Sequence, residues 1–153
     1  MKAVIQRVKY AKVDVDGKTV GSIGEGYMIL VGVMQGDTET QAETLARKTA
    51  NLRVFTDSED KMNLSILDID GEVLAISQFT LCADVKKGNR PSFINSAEPT
   101  EADRLYEYFC EQLKQNGVRK VEKGVFGAHM EVSLLNNGPV TILYDTDIWS
   151  GRG

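Results

Sequence analysis

A chain of 153 residues, 42% hydrophobic and 26% charged, is long enough to bury one core without disulfide or metal staples. Two cysteines without Cys-x-x-Cys spacing, one histidine and no bilayer-length apolar run argue against a disulfide scaffold, a zinc ribbon and a membrane span. A net charge of −4 and a pI near 5.1 argue against a protein that coats long nucleic acids, though not against one that grips only the end of an RNA.

The N-terminal stretch MKAVIQRV alternates apolar with polar, unlike the continuous apolar core of a signal peptide, so a soluble, cytoplasmic protein is expected. Residues 2–14 read as a long strand. Val4, Val8 and Tyr10 share one face, and Val13 and Val15 continue on the other, so a bulge is expected near Ala11. Asp16-Gly17 signals a hairpin into a second strand that runs through Ile23. Gly24-Glu25-Gly26 then turns the chain into an apolar run from Tyr27 to Val33, a central strand by its two hydrophobic faces.

Thr38 and Gln41 have capping-box spacing, and Ala42, Leu45, Ala46, Thr49 and Leu52 follow at helical intervals. Arg53-Val54-Phe55 suits a short strand before the polar turn 57–61, and residues 72–81 form the next strand. A second helix opens at Thr100, with Ala102, Leu105, Tyr106, Phe109 and Leu113 inward, and closes at Asn116-Gly117. Residues 130–135 and 140–144 are the last strands, and Asn136-Asn137-Gly138-Pro139 between them reads most simply as a hairpin turn. Strands outnumber helices without alternating with them, which predicts an α+β domain. The domain spans residues 1–145, with a tail over 146–153.

Several motifs fail. Gly17-Lys18-Thr19 lacks the upstream glycine of a phosphate loop, since Lys12 stands there. The pairs Asp14/Asp16 and Asp68/Asp70 lack the sixth-position glycine of a calcium loop, so no metal site is expected. There is no Gly-x-Ser-x-Gly elbow, and the lone His129 has no companion motif. Lys86, Lys87 and Arg90 form one basic cluster, and Arg119, Lys120 and Lys123 form another. Both fit solvated loops. Ser77-Gln78-Phe79-Thr80 is harder to place, because polar residues interrupt an apolar strand.

The chain resembles the D-aminoacyl-tRNA deacylases, formerly called D-tyrosyl-tRNA deacylases, over nearly its whole length. The resemblance is carried by residues 3–8, Leu30-Val31-Gly32-Val33, Asn51-Leu52-Arg53-Val54-Phe55, Lys61-Met62-Asn63-Leu64-Ser65, Ser77-Gln78-Phe79-Thr80-Leu81, residues 87–93, Phe126-Gly127-Ala128 and Gly138-Pro139-Val140-Thr141. It implies a layered β-β-α fold with a barrel-like, mainly antiparallel sheet and two principal helices. It also implies a homodimer with active sites at the subunit interface, acting without a cofactor or other protein partner on the acceptor end of aminoacyl-tRNA.

By that resemblance Ser77, Gln78, Phe79 and Thr80 form the pocket for the terminal adenosine and its amino acid. Gly138 and Pro139, matching a Gly-cis-Pro motif, reach into the partner's pocket and exclude L-amino acids, and Arg7 holds their loop. Lys86, Lys87 and Arg90 are the candidates for RNA phosphates. Asn137 stands where the family usually has Asp, and His129 at a commonly acidic or variable position. Two chemistries fit. In one, the free 2′-hydroxyl of the terminal ribose assists water while backbone amides hold the oxyanion; in the other, Thr80 is a covalent nucleophile. A non-catalytic nucleic-acid-binding module on the same fold and a small-molecule esterase are the alternatives in other classes.

Overall fold

The computed structural model describes residues 1–150. Its spine is β1 (Lys2–Val15), which pairs along one edge with the whole of β8 (Glu131–Asp145). Along the other edge β1 pairs first with β3 (Gly26–Gly32) and then with β2 (Lys18–Ile23), antiparallel in every case. The sheet continues in parallel through β6 (Glu72–Ser77) to the short β7 (Val121–Lys123) and curls into a nearly closed barrel. A two-stranded ribbon, β4 (Phe55–Thr56) with β5 (Met62–Leu64), lies outside it. Strands β5 and β7 are three residues each, too short to leave a period in the sequence.

Both faces of β3 and β6 are buried, which explains their unbroken apolar character. Tyr27, Ile29, Val31, Val73 and Ala75 face the helices, whereas Met28, Leu74 and Ile76 fill the inside of the curl. Ala3 and Ile5 of β1 serve the helix-side core, and Val8, Ala11 and Val13 the inner one. The phase therefore changes just ahead of Ala11, where the pairing to β8 slips between Val8 and Tyr10. Tyr10 does not share the face of Val8; it is half-exposed. The turn after β1 is a two-residue hairpin, with Asp16 and Gly17 at φ of 51° and 78° and Val15 opposite Lys18.

Helix α1 (Glu39–Asn51) begins with the expected capping box: Thr38 Oγ1 accepts from the Thr40 amide, and Gln41 Oε1 accepts from the Thr38 amide at 2.7 Å. Helix α2 (Pro99–Gln115) starts one residue before Thr100 because proline suits the first helical position, and it buries all five predicted residues and Cys110.

Two further expectations fail. The strand expected over 72–81 stops at Ser77, and Phe79–Cys82 winds into a 3-10 turn. The hairpin expected at 136–139 does not exist. Residues 131–145 are one continuous strand, with both halves paired to β1 in the same sense. Asn136 pairs with Val8 and Thr141 with Gln6, so four residues, 137–140, bulge out opposite Arg7 alone.

After β8, Thr146–Trp149 forms a 3-10 turn. Thr146 is buried and its hydroxyl accepts from the Met1 α-amino group at 2.7 Å, while the Trp149 ring meets Tyr144 edge-on at 4.9 Å. The rest of the expected tail, 151–153, lies outside the described residues. No described helix is long and apolar enough to cross a membrane.

Candidate active site

At the end of β6 the Gln78 amide still donates to Val31 O at 2.8 Å, after which the chain turns over β3. Gly32 permits that closure: a methyl group there would sit 3.0 Å from Leu81 Cβ and 3.2 Å from both Cys82 Sγ and Gln78 O. Cys82 points inward, its thiol 3.4 Å from Val33 O and raised above the usual thiol range by burial. The inward residues thus pin the turn, and Phe79 and Thr80 are left facing outward. The polar residues that interrupt the strand are the residues at which the strand ends.

Phe79 and Thr80 open the turn, so their amides lack a partner within it, and among the described residues neither has an acceptor elsewhere. Gln78 Nε2 donates to Thr80 Oγ1 at 2.9 Å. No carboxylate or imidazole hydrogen-bonds that hydroxyl among the described residues. Ser77, Gln78, Phe79 and Thr80 together line one side of a cavity of about 940 Å³. The Phe79 and Phe93 rings meet edge-on at 4.9 Å, and Ile94, Ala97, Phe126 and Met130 extend the apolar wall. Glu98 and the exposed His129 also line it.

Sequence reasoning did not assign Phe93, Phe126 or His129 to the site. The segments 87–93 and 126–128 carried the resemblance, but nothing local shows that they converge on Phe79.

Arg7, Gly138 and Pro139 are gathered elsewhere and do not line that cavity. Arg7 is buried, and its guanidinium donates to Asn137 O at 2.7 Å and Val54 O at 2.6 Å. It thereby ties the β8 bulge to the residue before β4. Gly138 and Pro139 stand exposed at the tip, joined by a cis peptide bond that the residue types alone do not predict. Gly138 has φ of 148°, and a methyl group there would lie 2.8 Å from Val140 Cγ2 and 3.1 Å from Arg7 Nη2. Only glycine fits.

Lys86, Lys87 and Arg90 are exposed on a loop closed by reciprocal bonds between Asp84 and Ser92, at 2.7 and 2.9 Å, just before Phe93 enters the cavity wall. None of the three side chains pairs with a carboxylate among the described residues. The second basic cluster differs: Arg119 and Lys120 engage Asp70 and Glu72, and Lys123 engages Glu107 at 2.6 Å.

Free amides at the mouth of an apolar cavity are the equipment of an acyl-group hydrolase. The chain matches the family described as D-Tyr-tRNA(Tyr) deacylase over residues 4–145. It is 60% identical to the D-aminoacyl-tRNA deacylase of Caldicellulosiruptor bescii over 146 residues, covering 95% of this chain and 97% of that one. It is 55% identical to that of Aquifex aeolicus, covering 95% and 98%. A solved structure described as "c-Myc DNA Unwinding Element Binding Protein" superposes with a TM-score of 0.89 at 42% identity, covering 95% of this chain and 98% of that chain. Another, of "a probable eukaryotic D-amino acid tRNA deacylase", shares the fold with a TM-score of 0.79 at 18% identity, over 94% and 97%. The chain belongs to the D-aminoacyl-tRNA deacylase family.

Proposed function

We propose that this protein hydrolyses the ester between a D-amino acid, or glycine, and the terminal ribose of tRNA, and that it works as a homodimer with composite sites. One observation carries the reading: the Phe79 and Thr80 amides, without a partner among the described residues, flank a hydroxyl whose side-chain partner is a neutral amide. Water attacks the ester carbonyl, the amides hold the developing oxyanion, and the ribose 3′-oxygen leaves with a proton. The loss of such a donor costs about 3–4 kcal/mol of transition-state stabilisation, so positioned amides can sustain catalysis.

Gln78 cannot serve as a general base, because an amide holds no usable proton affinity at neutral pH. The vicinal 2′-hydroxyl of the substrate supplies that assistance, and Thr80 need not be a nucleophile. The apolar walls from Phe79 and Phe93 suit a stacked base, and Lys86, Lys87 and Arg90 meet backbone phosphates of the acceptor end.

Gly138 and Pro139 are exposed and outside the cavity of their own chain, which suits a tip that enters the partner's cavity. Their main chain then stands against the substrate α-carbon. An L side chain collides with it, a D side chain points away, and glycine passes. The test is hydrolysis of D-tyrosyl-tRNA, L-tyrosyl-tRNA and a simple amino-acid ester side by side. Turnover of the first alone is expected, and equal turnover of the first two removes the reading.

The description of the 42% identical structure as a DNA-binding protein favours a second reading, a non-catalytic nucleic-acid module. Salt-dependent duplex binding without hydrolysis of any of the three substrates would select it. The net charge of −4 weighs against it.

A further inference from the structure

The bulge in β8 poses a backbone problem. Residues 137–140 stand opposite Arg7 alone, so the ladder to β1 cannot pair their peptide groups. Val140, which re-enters the strand, is nevertheless buried. Its partners come from the side chain of Asn136, the last residue before the bulge. Asn136 Oδ1 accepts from the Val140 amide at 2.7 Å, and Asn136 Nδ2 donates to Val140 O at 3.2 Å and to Thr141 Oγ1 at 3.2 Å. A primary amide offers Val140 the same acceptor and donor that a neighbouring strand would have offered. The two feet of the bulge are thereby tied to each other, four residues apart. On the flank, Arg7 holds Asn137 O at 2.7 Å. Among the described residues no side-chain hydrogen bond reaches Gly138 or Pro139, which stand between these ties.

We propose that Asn136 is a positioning residue: its amide closes the base of the bulge and so sets where the Gly138–Pro139 main chain stands, and with it the strictness of discrimination between L and D substrates. The proposal rests on the deacylase reading above. Asn136 touches no reacting atom in this scheme. It acts through Val140, so its loss changes a ratio of substrates rather than the rate of the chemical step.

The test compares Asn136→Ala, Asn136→Asp and Thr141→Val with the unmodified protein by two measurements. The first is the ratio of L-tyrosyl-tRNA to D-tyrosyl-tRNA hydrolysis. It should move toward L by about tenfold or more in Asn136→Ala, as expected for losing paired hydrogen bonds at a buried backbone group. Asn136→Asp keeps an acceptor for the Val140 amide but no donor, and should fall between. Thr141→Val loses one contact of three, should shift the ratio least, and decides the matter if the alanine variant does not fold.

The second measurement is hydrogen exchange at the Val140 amide, which needs no substrate. It should be slow in the parent and at least about tenfold faster in Asn136→Ala. Faster exchange with an unchanged ratio, or equal losses on both substrates, overturns the positioning role, and unchanged exchange overturns the clamp itself. A parent protein that ignores D-tyrosyl-tRNA removes the deacylase reading, and the exchange result still decides the clamp.

Discussion

The Thr80 hydroxyl accepts from Gln78 and, among the described residues, hydrogen-bonds no side chain able to take its proton. In the RNA-assisted scheme it helps to orient the substrate and little more. Thr80→Ala should therefore slow D-tyrosyl-tRNA hydrolysis by roughly tenfold, the weight of an ordinary hydrogen bond. A substrate ending in a 2′-deoxyribose should be almost inert. Single-turnover hydrolysis of both checks this, and the opposite pattern, a dead variant with a normally cleaved deoxy substrate, selects the nucleophile scheme.

The break at Ser77, Gln78 and Thr80 was legible in the sequence, since polar residues interrupt an apolar strand there, but their assignment to a pocket came through resemblance. Phe93 and His129 were not, because their place on the cavity wall depends on contacts with residues far along the chain. Arg7 was assignable only through resemblance. A lone arginine in a strand does not announce that it will be buried on Asn137 and Val54 carbonyls.

At the scale of elements, local signals succeeded where they decided the outcome and failed where a longer partner did. The Asp16-Gly17 turn and the Thr38 capping box are self-contained, and both form as expected. Asn137-Gly138 is as good a hairpin signal, yet β1 is 14 residues long and pairs with β8 on both sides of it. The ladder carries the chain straight on, and the turn residues are extruded as a bulge. The strand read over 72–81 overran for a related reason: the alternation continues through Phe79 and Leu81, and the early stop depends on Gly32 in a different strand.

The loop before Phe93 carries its own prediction. Replacing Lys86, Lys87 and Arg90 together by alanine should raise KM for aminoacyl-tRNA, leave kcat within about twofold, and flatten the salt dependence of KM, because three phosphate contacts are lost and no chemical group is touched. Kinetics across a range of salt concentrations measures all three.

Helix α2 makes another. Burial, with the Glu107 carboxylate adding to it, pushes the Cys110 thiol up to about 12, and burial raises Cys82 as well. The fold therefore favours both protonated thiols. Above the ordinary thiol range near 8.5 the unfolded chain loses protons that the folded chain keeps, so stability falls as pH rises from there toward 12. Denaturant midpoints between pH 8 and 10.5 should decline, and iodoacetamide should label neither cysteine of the native protein at pH 8 while labelling both in denaturant.

For the molecule as a whole, the central fact is separation. The cavity of Ser77, Gln78, Phe79 and Thr80 and the tip of Gly138 and Pro139 belong to one chain and do not meet within it. The strand that carries the tip also exposes Leu143 and Leu135, and its neighbour β1 exposes Tyr10, apolar surface that a second copy can cover. A site completed by a partner copy makes a demanding prediction about mixtures. Phe79→Arg places a long charged side chain at the cavity mouth and ends hydrolysis in that cavity. Gly138→Ala forces a methyl group against Val140 and Arg7 and displaces the tip. By the exclusion scheme Phe79→Arg alone should be inactive, whereas Gly138→Ala alone should keep hydrolysing D-tyrosyl-tRNA and should gain L-tyrosyl-tRNA.

When the two are unfolded together and refolded in equal amounts, half of the dimers combine one of each. In each mixed dimer one site takes its intact cavity from the Gly138→Ala chain and its intact tip from the Phe79→Arg chain, and the other site carries both defects. The intact site of the mixed dimer hydrolyses D and rejects L, so L-tyrosyl-tRNA hydrolysis relative to D should fall to about half of its value in Gly138→Ala alone. If each site were contained within a single chain, every intact cavity would keep its own displaced tip, so an L-to-D ratio unchanged on mixing would mean that the tip does not serve its neighbour's cavity.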